Sequence, residues 1–106
     1  MEISTFNNTE FGEIRTIQKN GEVLFCGKDI AAALGYADPK KAIIQHCKEN
    51  GVAIYPLIDS MGREQQAKFI TEGNVYRLIA HSKLPGAERF ERWVFDEVLP
   101  SIRKHG

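Results

Sequence analysis

Apolar residues gather in two short segments, EIRTIQ and EVLFC, which flank Lys19-Asn20-Gly21 and read as the two strands of a hairpin. Asn-Gly is a strong hairpin signal, because both turn residues take positive φ. A two-residue turn there pairs Ile17 with Leu24 and Thr16 with Phe25. Apolar side chains then fall on both faces of the hairpin, so both are expected to be partly covered.

A helical pattern follows. In DIAAALGYADPKKAIIQHC, Asp29 is placed to cap a first helix and Gly35 to end it, with Ile30, Ala33 and Leu34 on its inner face. Asp38 caps a second helix, and Pro39 stands at its first position, where a missing N–H costs nothing. Ala42 and Ile43, with His46 and Cys47 after them, continue its inner side until Asn50-Gly51.

Val52 to Ile58 is β-rich, DSMGRE reads as a turn, and Gln66 to Ile70 as the returning strand. Pro56 assigns the first of these to a sheet edge or a bulge. Thr71 caps a third helix with Val75, Leu78 and Ile79 as its apolar stripe, and SKLPG breaks it. The last and longest helix runs from Ala87 to about Lys104, with Pro100 expected to kink it or start a new turn. On this helix Phe90, Trp93 and Val94 share one side. Phe95, Leu99 and Ile102 lie about a quarter to a third of a turn further round. That second stripe is either deep core or an interface with a twin subunit or a following domain. The order is two strands, two helices, two strands, two helices, a compact α+β domain occupying residues 1–106.

Composition is that of a globular chain, 42% hydrophobic and 26% charged over 106 residues. No apolar run is long enough for a membrane span, and no basic start followed by an apolar stretch marks a signal peptide. An intracellular location is the expectation. Cys26 and Cys47 are too few for a disulfide framework, and His46 beside Cys47 is not metal-ligand spacing. No metal or cofactor is expected. Asp59 and Glu64 flank a loop, His81 and Ser82 are neighbours that do not face each other, and the glycines match no phosphate-binding spacing. The chain is read as non-enzymatic.

Net charge is zero, whereas nucleic-acid domains are usually basic. The charges are nevertheless segregated. Residues 1–27 set Arg15 and Lys19 against four glutamates, while residues 28–48 set Lys28, Lys40, Lys41 and Lys48 against Asp29 and Asp38. Arg103 and Lys104 add to the tail.

The segments FGEIRTI, NGEVLFCGKDIAAALGYADPKKAI and KFITEGNVYRLIAHSKLPGAERFERWVFDEVLPSIRKHG, in this order, resemble the Bro-N domain. This is the N-terminal domain of prophage antirepressors and of the BRO proteins of large insect DNA viruses. KDIAAALGY, Tyr76-Arg77-Leu78-Ile79 with Ser82-Lys83, and Trp93-Val94 followed by Leu99-Pro100-Ser101-Ile102-Arg103 carry most of it. The resemblance implies a DNA-binding module of a phage or prophage regulator, with a variable C-terminal domain following in full-length members. It does not fix the base-reading residues.

Those are chosen from residue chemistry. Lys28, Lys40, Lys41 and Lys48 suit phosphates, and Gln45 offers a bidentate amide to adenine. Arg63 stands at the tip of a two-stranded ribbon, a place from which a cation can enter a groove. A helix-turn-helix fits incompletely, since Lys41 falls where an inward apolar residue is usual and Ala42 and Ile43 arrive one residue late. Tyr76 and Arg77 read as a structural stack or hydrogen bond, and Arg89 and Arg92 as helix-surface partners of Glu88 and Glu91. The reading is an antirepressor-type module in the cytoplasm of a bacterial host that binds double-stranded DNA through a lysine-bearing helical face. The alternative is a module that binds a repressor or forms a homodimer through Phe95, Leu99 and Ile102.

Overall fold

A computed structural model of the chain describes residues 3–105. The side chains of Lys104 and His105, the former counted above with the basic tail, lie outside the described residues, as do Met1, Glu2 and Gly106. Five strands form one antiparallel sheet in the order β1-β2-β3-β5-β4. They are β1 (Ile3–Asn8), β2 (Gly12–Lys19), β3 (Glu22–Cys26), β4 (Val52–Ile58) and β5 (Glu64–Ile70). Helices α1 (Gly27–Ala33), α2 (Pro39–His46) and α3 (Glu72–His81) precede one long terminal helix. Its parts are α4 (Ala87–Arg92), a π-helical stretch (Trp93–Val98) and α5 (Leu99–His105).

The β2–β3 hairpin has the expected register, Ile17 opposite Leu24 and Thr16 opposite Phe25. Its turn carries positive φ at Asn20 (53°) and Gly21 (79°), the primed geometry that follows strand twist. Strand β1 is an addition to the expected order. Its side chains are mostly exposed, so the apolar alternation that marks a strand is faint, and its pairing from Ile3–Ile17 to Asn8–Gly12 is made by β2. Pro56 lies, as expected, on the edge strand β4. The returning strand begins at Glu64, two residues before the sequence expectation.

Both sheet faces are covered in part. Ile14, Val23, Phe25 and Ile70 pack under the helices with Ile30, Leu34, Leu78 and Phe90. On the other face Ile17, Leu24, Leu57 and Phe69 form a smaller cluster of strand side chains alone.

Helix α1 starts earlier than expected, at Gly27, and Asp29 is not its cap. Cys26 holds the capping position without a side-chain hydrogen bond. Strand β3 ends at Cys26, leaving the β2 amide of Arg15 without a strand partner, and the Asp29 carboxylate takes its place. Gly35 ends α1 as expected, at φ +82°. The amide of Gly35 donates to Ala32 and that of Tyr36 to Ala31, the paired bonds that use up the last carbonyls of a helix. Asp38 caps α2 by accepting from the Lys41 amide at 3.2 Å, and Thr71 caps α3 by accepting from Asn74.

The terminal helix corrects the two-stripe reading. Pro100 has no N–H and its ring crowds the preceding turn. The helix responds by widening over Trp93–Val98, where each turn takes about one extra residue. One extra residue is about 100° of phase at an α-helical step, close to the offset between the two stripes. Leu99 (1% exposed) therefore joins Phe90, Trp93, Val94 and Val98 in the core. Its side chain is not available to a partner. Phe95 and Ile102 are half-buried against the same cluster.

Candidate nucleic-acid interface

Helix α2 stands as a ridge. Ala42 and Ile43 anchor it in the core, while Lys40, Lys41, Ile44 and Gln45 are exposed. On one side a groove runs between α2 and the β4–β5 hairpin. It consists of two adjoining cavities, about 510 and about 370 Å³, that share Ile43, Ile44 and Lys68. Lys28 and Lys40 line the smaller of these. On the other side a depression of about 650 Å³ is lined by Gln45, His46, His81 and Lys83. The imidazoles of His46 and His81 stack there, 4.4 Å apart and 14° from parallel.

Most of the cations fall into two groups; Lys19, Arg77 and Arg92 stand outside both, with no carboxylate partner among the described residues. Arg15, Arg63, Arg89 and Arg103 each pair with a carboxylate, from Asp29, Asp59, Glu10 and Glu72 respectively. Among the described residues no carboxylate pairs with Lys28, Lys40, Lys41, Lys48, Lys68 or Lys83. Four of the arginines are thus committed within the fold, while the lysines around α2 are exposed except for the half-buried Lys68. Glu10 shows the effect of such a commitment, since the hydrogen bond from Arg89 holds its carboxyl below the ordinary range. That pair also corrects the expected partners of Arg89, which were Glu88 and Glu91.

The six residues read as DNA contacts are all exposed, but they do not form one face. Lys28 and Lys40 lie on the groove and Gln45 on the opposite depression, with Lys41 on the ridge beside Lys40. Lys48 follows the end of α2. Arg63 stands apart at the hairpin tip, where Asp59 accepts its Nε at 3.1 Å and its amide at 2.9 Å. This guanidinium braces its own loop. Lys68 and Lys83 were missed. Lys68 directly precedes the buried Phe69 and Ile70 of β5, a position that reads as sheet interior, yet it lines the groove beside Ile43 and Ile44 of α2.

Five residues, Leu34–Asp38, separate α1 from α2, longer than the tight turn of a helix-turn-helix. Two hydrogen bonds, one to the α3 backbone and one from the residue after α3, hold this connection. Tyr36 donates its hydroxyl to the Leu78 carbonyl at 2.6 Å, and Ser82 donates to the Leu34 carbonyl at 2.8 Å. Beyond α2, the fully buried Asn74 accepts from the Lys48 amide (2.8 Å) and donates to the Lys48 carbonyl (3.0 Å). Arg77 donates to the same Asn74 oxygen, and Tyr76 stacks on Phe95 at 4.2 Å. The motif residues Tyr76, Arg77 and Ser82 therefore shape the scaffold that presents α2, as expected for the first two. Burial pushes the Cys47 thiol, at the end of the ridge, up to about 11.

An α+β scaffold with an unpaired, lysine-bearing helical ridge is the class that the fold and the site define. The description "BRO family, N-terminal domain" matches residues 13–100, and the chain belongs to this Bro-N family. A protein of Haemophilus influenzae, described as uncharacterized, is 43% identical over all of this chain and 52% of its own length. A putative Bro-N domain-containing protein of Invertebrate iridescent virus 3 is 34% identical over 77% of this chain and 25% of its own. A Bro-N domain-containing protein of Acanthamoeba polyphaga mimivirus is 30% identical over 98% of this chain and 47% of its own. The chain thus spans about half or less of these relatives. No solved structure matches it. No described helix is long and apolar enough to cross a membrane.

Proposed function

We propose that this domain binds double-stranded DNA with α2 entering the major groove, as the nucleic-acid module of an antirepressor-type regulator acting in a bacterial host. The observation that carries the reading is the commitment of four arginines to carboxylates while the lysines on and beside α2 stay unpaired. A helix with its side chains is about 10–12 Å across, and the major groove is about 12 Å wide. Lys41 and Gln45 point outward for base edges. Lys28, Lys40 and Lys68 on one flank and Lys83 on the other suit the phosphates on either bank. Zero net charge does not oppose this, because charge is unevenly spread: residues 28–48 hold Lys28, Lys40, Lys41 and Lys48 against Asp29 and Asp38, and Arg15 takes up Asp29.

The test is duplex binding by the Lys40→Glu/Lys41→Glu double variant. Both positions are exposed, so folding is expected to persist, as circular dichroism checks. Loss of duplex binding supports the reading, and unchanged affinity rejects it.

A further inference from the structure

We propose that the groove between α2 and the β4–β5 hairpin docks an acidic, amphipathic segment of a protein partner. The inference starts from isoleucines that the DNA reading leaves unused. Ile44 (70% exposed), Ile54 (59%) and Ile58 (67%) are among the large apolar residues this chain leaves in water. They are not scattered. Ile54 and Ile58 alternate along one side of β4, and Ile44 lines the groove from α2. A run of exposed apolar side chains gathered in a concave surface marks an interaction site, whereas single ones need no explanation.

Three isoleucines are also the wrong lining for a phosphate backbone, which seeks donors and cations. A protein segment with its own apolar stripe fits them. The rim decides the charge of that segment. Lys28, Lys40 and Lys68 border the groove, none paired with a carboxylate among the described residues. Of the groove's own acids, Asp59 is held by the amides of Met61 and Arg63 and by the Arg63 and Gln65 side chains. Glu49 lies on the larger cavity alone. The apolar wall and cationic rim are met together by leucine-like side chains flanked by Asp or Glu, and complementary charge also suppresses wrong partners. Lys28, Lys40 and Lys68 belong to the proposed DNA flank as well, so on that reading segment and duplex exclude each other. The docking itself stands without the DNA reading.

The experiment selects from a random library of displayed 16-residue peptides on the wild-type domain, with counter-selection on the Ile44→Ser/Ile54→Ser/Ile58→Ser variant. All three positions are exposed, so this variant is expected to keep the fold. Enrichment of amphipathic sequences rich in Asp and Glu supports the proposal. So does a fall of at least about tenfold in the affinity of a synthetic winner on the variant, about 1.4 kcal/mol. Basic or uncharged winners, winners that bind the variant equally well, or no enrichment overturn it. Duplex binding by the same variant separates the two readings. If the isoleucine changes abolish duplex binding and no peptide is enriched, the groove belongs to nucleic acid. If Lys41→Glu abolishes duplex binding and leaves the peptide bound, the groove holds the segment without the ridge, and the docking stands apart from the DNA reading.

Discussion

Asp29 holds Arg15 by three hydrogen bonds. Its Oδ2 accepts the Arg15 amide at 3.0 Å and Nε at 2.8 Å, and its Oδ1 accepts the terminal guanidinium nitrogen at 2.9 Å. One carboxylate thus replaces the strand that ends at Cys26 and ties α1 to β2. The Asp29 side chain is 13% exposed and that of Arg15 31%, so the pair is partly shielded. Asp29→Ala is expected to cost about 2 kcal/mol, in the range for a lost charge-assisted hydrogen bond with a partner left behind. Urea unfolding checks this, and a cost within a few tenths of zero would show that water replaces the carboxylate.

Asn74 is the second long-range polar tie, and it is fully buried. Its amide bonds both the N–H and the carbonyl of Lys48. Asn74→Leu leaves both groups without their partners, at about 1–3 kcal/mol for each unsatisfied group. The same denaturation measurement is expected to show a larger loss than for Asp29→Ala.

Gly27 sits where α1 crosses β5. A Cβ there would lie 2.7 Å from the Ile43 Cδ1, 3.2 Å from the Lys68 carbonyl oxygen and 3.3 Å from the Ile70 Cγ2. The methyl of Ile43 can turn aside, but the backbone oxygen cannot. Gly27→Ala is expected to destabilise by about 1–3 kcal/mol, the usual cost of overpacking. A neutral result would mean that α1 lifts away from the sheet freely.

Leu99 separates core from interface. Leu99→Ala is expected to cost about 2–5 kcal/mol, as for a leucine in a packed core. Sedimentation of the native protein is expected to be unchanged at temperatures where the variant stays folded. A dimer that dissociates on this substitution, with the fold intact, would restore the interface reading.

These sites also show what a sequence discloses. Asn20-Gly21, Asp38-Pro39, Thr71 and Pro56 act through their own neighbours, so turn, caps and edge were legible from local chemistry. Asp29 looked like a cap because its partner, Arg15, is distant in sequence. Strand β1 has almost no apolar signature, since β2 supplies its reason to be extended. The stripe through Leu99 misled because a fixed helical step was applied across a π-helical stretch that Pro100 causes. At the candidate interface the lysines of α2 were legible as residues. That Lys68 and Lys83 flank α2, and that Arg63 is held by Asp59, depends on tertiary placement.

Cys47 offers a check on the packing behind α2. With its thiol pushed up to about 11 by burial, the thiolate is only about a thousandth of the population at pH 8, against roughly a quarter for a free cysteine. Alkylation of the native protein by iodoacetamide at that pH is expected to be slow, and to quicken as pH rises toward the thiol's own value. Rapid alkylation at neutral pH would mean that the end of α2 opens.

The most direct measurement of the central claim is the fluorescence anisotropy of a labelled mixed-sequence duplex titrated with this domain at several salt concentrations. Each phosphate contact contributes about −0.9 to the slope of log affinity against log salt. Four or five of the lysines around α2 in contact give a slope of roughly −4 on that basis. A slope near this value, reduced by about two when Lys28 and Lys40 are both changed to Gln, is the expected result. No binding at low salt, or a slope that the two substitutions leave unchanged, would contradict the assignment of α2 as the DNA-binding ridge.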